Sequence, residues 1–210
     1  CKIMALRVGW LPNGESQGVV RMDFAAQGIV YAAVNGAKIL NASWGSSAFL
    51  GSAVRSALNA GCLIFTAAGN DNTQDASYLN GYPDGSGSDT RVLGVAATNS
   101  NDAKAGFSNY GTWVDLSAPG TGIYTTAYSR FTGESTYGTT QGTSFASPLA
   151  AGAAALLWSA NPGLTNSEIS QLLRDSCDDL DAVTTGYEGL LGAGRVNLLK
   201  ALGDDVQQVP

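Results

Sequence analysis

The chemistry in this chain centres on one serine. Residues 141–158 read Q-G-T-S-F-A-S-P-L-A-A-G-A-A-A-L-L-W, so Ser144 directly precedes a run apolar and alanine-rich enough to be a buried helix. A hydroxyl at or just before a helix N-terminus has a use beyond packing. The unpaired N–H groups of the first turn and the positive end of the helix dipole stabilise an oxyanion forming beside it. Pro148 is tolerated because it falls near that turn. The same placement also suits a plain N-cap, in which the serine does no chemistry. A serine is a weak nucleophile until a base takes its proton, and the chain contains no histidine. Its lysines, Lys2, Lys38, Lys104 and Lys200, are remote from Ser144 in sequence, so a Ser–Lys pair requires tertiary approach. No G-x-S-x-G string is present, which disfavours the esterase and lipase elbow.

Composition bounds what surrounds that serine. At 210 residues, 44% apolar and 13% charged, the chain can bury a full core and fits one domain. Its 27 glycines point to tight turns and close backbone contacts, because the apolar content is too high for disorder. A net charge of −6 and a pI near 4.4 argue against nucleic acid and against an anionic membrane surface as partners. No uninterrupted apolar run reaches the roughly 18 residues a membrane span needs. No signal peptide is apparent, and a first residue of Cys1 rather than Met suggests cleavage from a longer precursor. Cys1, Cys62 and Cys177 allow at most one internal disulfide, and their spacing matches no zinc pattern.

The elements that must position Ser144 alternate. Residues 2–8 read as an apolar strand, 10–16 as a loop, 19–35 as a helix and 37–43 as a buried strand. A second helix is expected over 48–60 and the next strand over 62–68, so two successive strand–helix–strand units imply parallel strands and an α/β fold. Ligands on such sheets bind beyond the carboxyl ends of the strands, here residues 41–45 and 67–70. Residues 71–90 read as a long exposed loop, 92–98 as a strand and 123–137 as a surface hairpin. Thr165 and Glu168 form a capping box opening a helix through Leu173, and 204–210 read as a polar tail.

Taken together, the motifs resemble the subtilisin-like serine proteases, the subtilases. The string G-T-S-x-A-x-P around Ser144 is similar to that family's nucleophile segment, and the likeness runs on through L-L-W-S-A-N-P-G-L-T. Leu149 departs from the histidine usual after the proline, a position without a catalytic role in the family. N-A-S-W-G at 41–45, A-A-G-N at 67–70, Tyr82-Pro83, G-F-S-N-Y-G at 106–111 and V-D-L-S-A-P-G at 114–120 resemble further family landmarks, and residues 192–202 are similar to the family's closing helix, so the likeness covers residues 1–202 in all.

The resemblance implies a three-layer α/β fold with a mostly parallel central sheet and helices on both faces. It implies a serine endopeptidase acting by acyl transfer through Ser144, with Asn70 and the Ser144 backbone N–H as oxyanion donors. Ser43, Trp44 and Gly45 would bind peptide as an added strand, with Ala68 and Gly69 completing the substrate-binding wall. Asp71 would stand at the pocket rim. No cofactor is implied for the chemistry; a structural calcium is conceivable, but Asp115, aligned with a calcium-site acid of some members, reads as a hydrogen-bonded turn residue. In the family the Asp and His precede the Ser. The expectation is therefore that residues 1–203 are the C-terminal portion of a catalytic domain lacking its N-terminal elements, inactive alone. The implied partners are the N-terminal part of that domain, a polypeptide substrate and a propeptide, outside the cell, with neither nucleic acid nor membrane. The rival readings are a non-catalytic binding module that keeps the cleft, and a structural domain in which Ser144 is only an N-cap.

Overall fold

The computed structural model describes residues 1–13, 15, 18–45, 50–83, 87–129 and 132–203. Two short strands, β1 (Gly9–Trp10) and β2 (Val19–Val20), pair antiparallel and lead into helix α1 (Met22–Val34). Strand β3 (Ile39–Ala42), helix α2 (Gly51–Asn59) and strand β4 (Leu63–Ala67) then form the first crossover. They are followed by β5 (Val92–Thr98), β6 (Leu116–Pro119) and the hairpin β7 (Ile123–Ser129) and β8 (Glu134–Thr140). Helices α3 (Thr143–Ala160), α4 (Asn166–Asp175) and α5 (Leu198–Ala201) close the chain.

Strands β3, β4, β5 and β6 lie in that order in one parallel sheet, with Ile39 beside Leu63, Ile64 beside Val92 and Val95 beside Leu116. Every residue of β4 and β5 is buried, the continuous apolar run expected of strands covered on both faces. Alternation sorts their side chains. Leu63, Phe65, Leu93, Val95 and Leu116 pack against Ala146, Ala150, Ala154 and Leu157 of α3 and Ile169 and Leu173 of α4. Ile64 and Val92 point the other way, into a cluster with Ala25 and Ile29 of α1 and Val54, Ala57 and Leu58 of α2. The result is a three-layer α/β fold with helices on both faces of the sheet. The alanines of α3 let its axis lie close over four strands, which brings its N-terminus beyond their carboxyl ends.

Several expectations need correction. Residues 2–8 form no strand: Ile3 is 94% exposed, and among the described residues only the Val8 carbonyl takes a ladder bond, from the Arg21 N–H at 3.0 Å, so the apolar stretch before it stays irregular. The segment 71–90 is not simply an exposed loop, because Leu79, Asn80 and Tyr82 are buried. Asn80 is what draws it in. Its Nδ2 donates to the Ala67 carbonyl at 2.8 Å and to Ser77 Oγ at 2.9 Å, and Thr66 donates to its Oδ1. In place of a helix across 192–202, residues 193–196 run extended along β6, and only Leu198–Ala201 are helical. Gly192 and Gly194 permit this, since a Cβ on either would strike backbone of Asp115 or Asp178. The helices expected over 19–35 and 48–60 form in shorter spans, the hairpin expected over 123–137 forms and runs on to Thr140, and Thr165 and Glu168 make their reciprocal capping box. Residue 48, at the expected start of the second helix, and the tail 204–210 lie outside the described residues. All three cysteines are free thiols, with Cys62 buried and its Sγ donating to the Ala37 carbonyl at 3.1 Å.

Candidate active site

Ser144 is the second residue of α3, after Gly142 as N-cap, so its N–H belongs to the first-turn set that lacks an intrahelical acceptor. Gly142 has φ +145°, a backbone angle that disfavours any side chain, and this turn directs the helix start toward the sheet. Ser144 is half-buried, and its Oγ donates to the Ser43 carbonyl at 3.4 Å. In return Ser43 Oγ donates to the Ser144 carbonyl at 3.0 Å. The end of β3 and the start of α3, 101 residues apart in sequence, therefore clasp each other directly.

Asn70 closes the other side. Its Oδ1 accepts from the Thr143 N–H at 2.9 Å and from Thr143 Oγ1 at 3.0 Å, while Thr143 Oγ1 accepts from the Gly69 N–H at 3.1 Å. With Oδ1 committed to two donors, the amide orientation is fixed by the network, and Nδ2 is the end left available as a donor. Asn70 itself is exposed, so that donor can meet a ligand. The loop beneath is shaped by Asn109, which is 4% exposed: its Oδ1 accepts from the N–H of Asp71 at 2.8 Å and of Thr73 at 3.2 Å, and its own N–H donates to the Gly69 carbonyl at 3.0 Å. Gly69, at φ +108°, is required here, because a Cβ would collide with the Asn109 amide.

The remaining expected site residues are placed as follows. Trp44 is half-buried and packs on the cluster formed by α1 and α2, while Gly45 is exposed. Ala68 is fully buried beside Trp113, Val114, Leu180 and Leu191, and its N–H donates to the Val95 carbonyl at 3.0 Å, so its side chain belongs to the core. Asp71 is exposed. Asp115 takes the Gly94 N–H on Oδ2 at 2.8 Å and faces Arg174 at 3.7 Å; burial pushes its carboxyl up to about 7 despite both. A calcium ion does not fit there, since an arginine already occupies the approach. Among the described residues, no group of three or more His, Cys, Asp or Glu side chains is placed to hold a metal.

No titratable side chain hydrogen-bonds to Ser144 Oγ among the described residues. Lys104 is buried elsewhere, donating from Nζ to Asn72 Oδ1, the Ala105 carbonyl and the Ser108 carbonyl at 2.7, 3.1 and 2.9 Å, and burial lowers its pKa. Lys38 stands over the Trp158 ring and Lys200 pairs with Asp178. Sequence reasoning missed Thr143, Asn109, Asn41 and Ser147 as supports of the site. All four stand inside the motifs of the sequence, yet each has a partner distant from it along the chain. No helix among the described residues is long and apolar enough to cross a membrane.

Comparison with known proteins shows what the chain as a whole is similar to. The model of the subtilase family matches residues 1–194. An alkaline protease of Alkalihalobacillus alcalophilus is 35% identical over 201 residues, covering 90% of this chain and 48% of that protein. Subtilisin BL of Lederbergia lenta is 38% identical over 175 residues, covering 82% and 59% respectively. A solved protease structure from Pseudoalteromonas arctica superposes with a TM-score of 0.75 at 29% identity, over 88% of this chain and 59% of that one. The chain thus spans about half the length of the curated relatives it matches.

Proposed function

Since this chain belongs to the subtilase family, we propose that it supplies the nucleophile, the oxyanion donors and the peptide-binding edge of a serine endopeptidase. The observation that carries the reading is the convergence of the Ser144 hydroxyl, the Ser144 N–H and the network-oriented Asn70 amide around one helix start. A polypeptide added as a strand along residues 43–45 would bring its scissile carbonyl to that point. Ser144 Oγ then attacks the carbonyl carbon, its proton passing to a base. The carbonyl electron pair collects on oxygen between Asn70 Nδ2 and the Ser144 N–H. Collapse breaks the C–N bond, the amine leaves with the proton, and water releases the acyl group from Ser144 by the reverse route.

The base is not in this sequence, which has no histidine. In the proposed enzyme, the Asp and His come from an N-terminal part of the same catalytic domain, present as preceding sequence or as a second chain. This chain alone is then inactive. That partner would complete the uncovered side of β3 and α1, where Phe24, Tyr31 and Val34 are exposed. A propeptide and work outside the cell belong to the same reading.

Asn70→Ala tests it in the protein joined to its histidine-bearing segment. Turnover of a peptide amide should fall by about 10²–10³ with little change in KM, because the amide acts on charge that develops only in the transition state. An unchanged kcat would remove Asn70 from the mechanism. A change in KM alone would place Asn70 in substrate binding rather than at the oxyanion, and no turnover by the unsubstituted, joined protein would favour the non-catalytic binding module.

A further inference from the structure

We infer that Ser43 is a positioning residue for the nucleophile, supplying from the peptide-binding edge the hydrogen bond that Pro148 cannot make inside the helix. The inference rests on the reading of Ser144 as nucleophile and adds a second residue to it.

In an α-helix the N–H of residue i+4 donates to the carbonyl of residue i. The residue four beyond Ser144 is Pro148, the proline inside α3, which has no N–H to give. Before its last turn, the carbonyl of the nucleophile is therefore the one in this helix that a proline deprives of its regular donor, and Ser43 Oγ takes the vacant role at 3.0 Å. The direction of that bond is set from behind. Asn41 Nδ2 donates to Ser43 Oγ at 2.9 Å, so the serine proton is left to point at Ser144. Asn41 Oδ1 in turn accepts from the hydroxyl of Ser147 at 2.7 Å, and Ser147 is fully buried in α3. The bonds run head to tail, from Ser147 through Asn41 and Ser43 to the Ser144 carbonyl, leaving α3 and returning to it across the end of β3.

This relay does two things for the reaction. It fixes the backbone of Ser144, and with it the direction of the N–H that meets the oxyanion. It also ties that backbone to residues 43–45, where the peptide is held, so that nucleophile and substrate share one reference frame. The weaker return bond, Ser144 Oγ to the Ser43 carbonyl at 3.4 Å, has to open as the hydroxyl turns to its base, while the Ser43 hydroxyl stays in place. Asn41 lies exposed on the edge strand, where water can substitute, so it contributes less than Ser43.

The test is a double-mutant cycle of Ser43→Ala and Pro148→Ala in the protein joined to its histidine-bearing segment. Two quantities are read: the rate of Ser144 labelling by a fluorophosphonate, and the urea midpoint. Ser43→Ala should slow labelling about tenfold, the worth of one well-made hydrogen bond. Pro148→Ala restores an N–H to the helix, and in that background the same change should cost less than about threefold, with a matching non-additivity in urea. Labelling unaffected by Ser43→Ala, or an equal loss in both backgrounds, overturns the positioning role. Additive urea midpoints show that the two donors do not substitute for one another and overturn it as well. If the unsubstituted protein fails to label while the urea midpoints remain coupled, Ser144 is not a nucleophile and the clasp is architecture only.

Discussion

The two ends of the central sheet are finished differently. At β6 the edge is sealed by residues 193–196: the Ser117 N–H donates to the Gly194 carbonyl at 2.7 Å, and the Val196 N–H donates to the Ser117 carbonyl at 2.9 Å. Arg195 then bridges Asp102 and Asp178. At β3, no described strand pairs with the outer edge, and the neighbouring surface shows Phe24, Tyr31 and Val34 of α1 together with Ile3, Met4 and Leu6. An edge with open N–H and C=O groups beside exposed apolar side chains is a surface built to be covered. The difference teaches where the chemistry divides. On the proposed reading, the nucleophile and its oxyanion donors rest against the well-packed interior, while peptide binding and the base supplied by another segment meet at the open end.

The sharpest way to break this contrast is at the sealed end. Leu116 of β6 is fully buried between β5 and α3, and Leu116→Ala should cost about 2–5 kcal/mol in urea unfolding through lost burial and a residual cavity. Val34→Ser, on a residue 75% exposed at the open end, should stay within about 0.5 kcal/mol in this chain. Once a histidine-bearing segment covers that end, the Val34 change should become measurably destabilising. Equal costs at the two ends without that segment would erase the distinction.

Beside Leu116, the buried Asp115 makes the sealed end sensitive to pH. Its folded-state carboxyl titrates at about 7 rather than 3.8, so folding favours the protonated form. The stability it lends is complete below about pH 4 and is lost as pH rises through about 7. Unfolding free energy should therefore decline by roughly 2–3 kcal/mol between pH 5 and 8, at about 1.4 kcal/mol per pH unit until the folded-state carboxyl ionises. Asp115→Asn should flatten that slope. A slope unaltered by the substitution would assign the pH dependence to another group.

Much of the frame was legible because its signals are local. Strand β5 matches its expected bounds residue for residue, the alanine-rich run located the helix that carries Ser144, and Thr165 with Glu168 marked the start of α4. What stayed hidden depends on partners far away in sequence. Residues 2–8 have a strand's composition, but a strand exists only where another one receives it. Residues 192–202 resemble a closing helix of the family, yet Arg195 is held extended between Ser117 and Asp178. Asn80 falls in a stretch that reads as an exposed loop and Asn109 in a string that reads as framework, and only tertiary contact turns them into the pins that hold the loops on either side of Asn70. At the site, Ser144 was visible through its helix, whereas the donors that orient it, on Ser43 and Thr143, become apparent only when β3 and α3 are brought together.

The central claim is that this chain holds a complete nucleophile but not its base. Fluorophosphonate labelling of the isolated chain, repeated after addition of the Asp- and His-bearing N-terminal segment and read by intact mass under denaturing conditions, tests it most directly. The account predicts no adduct on the isolated chain, a single adduct at Ser144 with the segment present, and none in Ser144→Ala. Full labelling of the isolated chain would place a base within these 210 residues, and no labelling in either state would contradict the assignment of Ser144 as nucleophile.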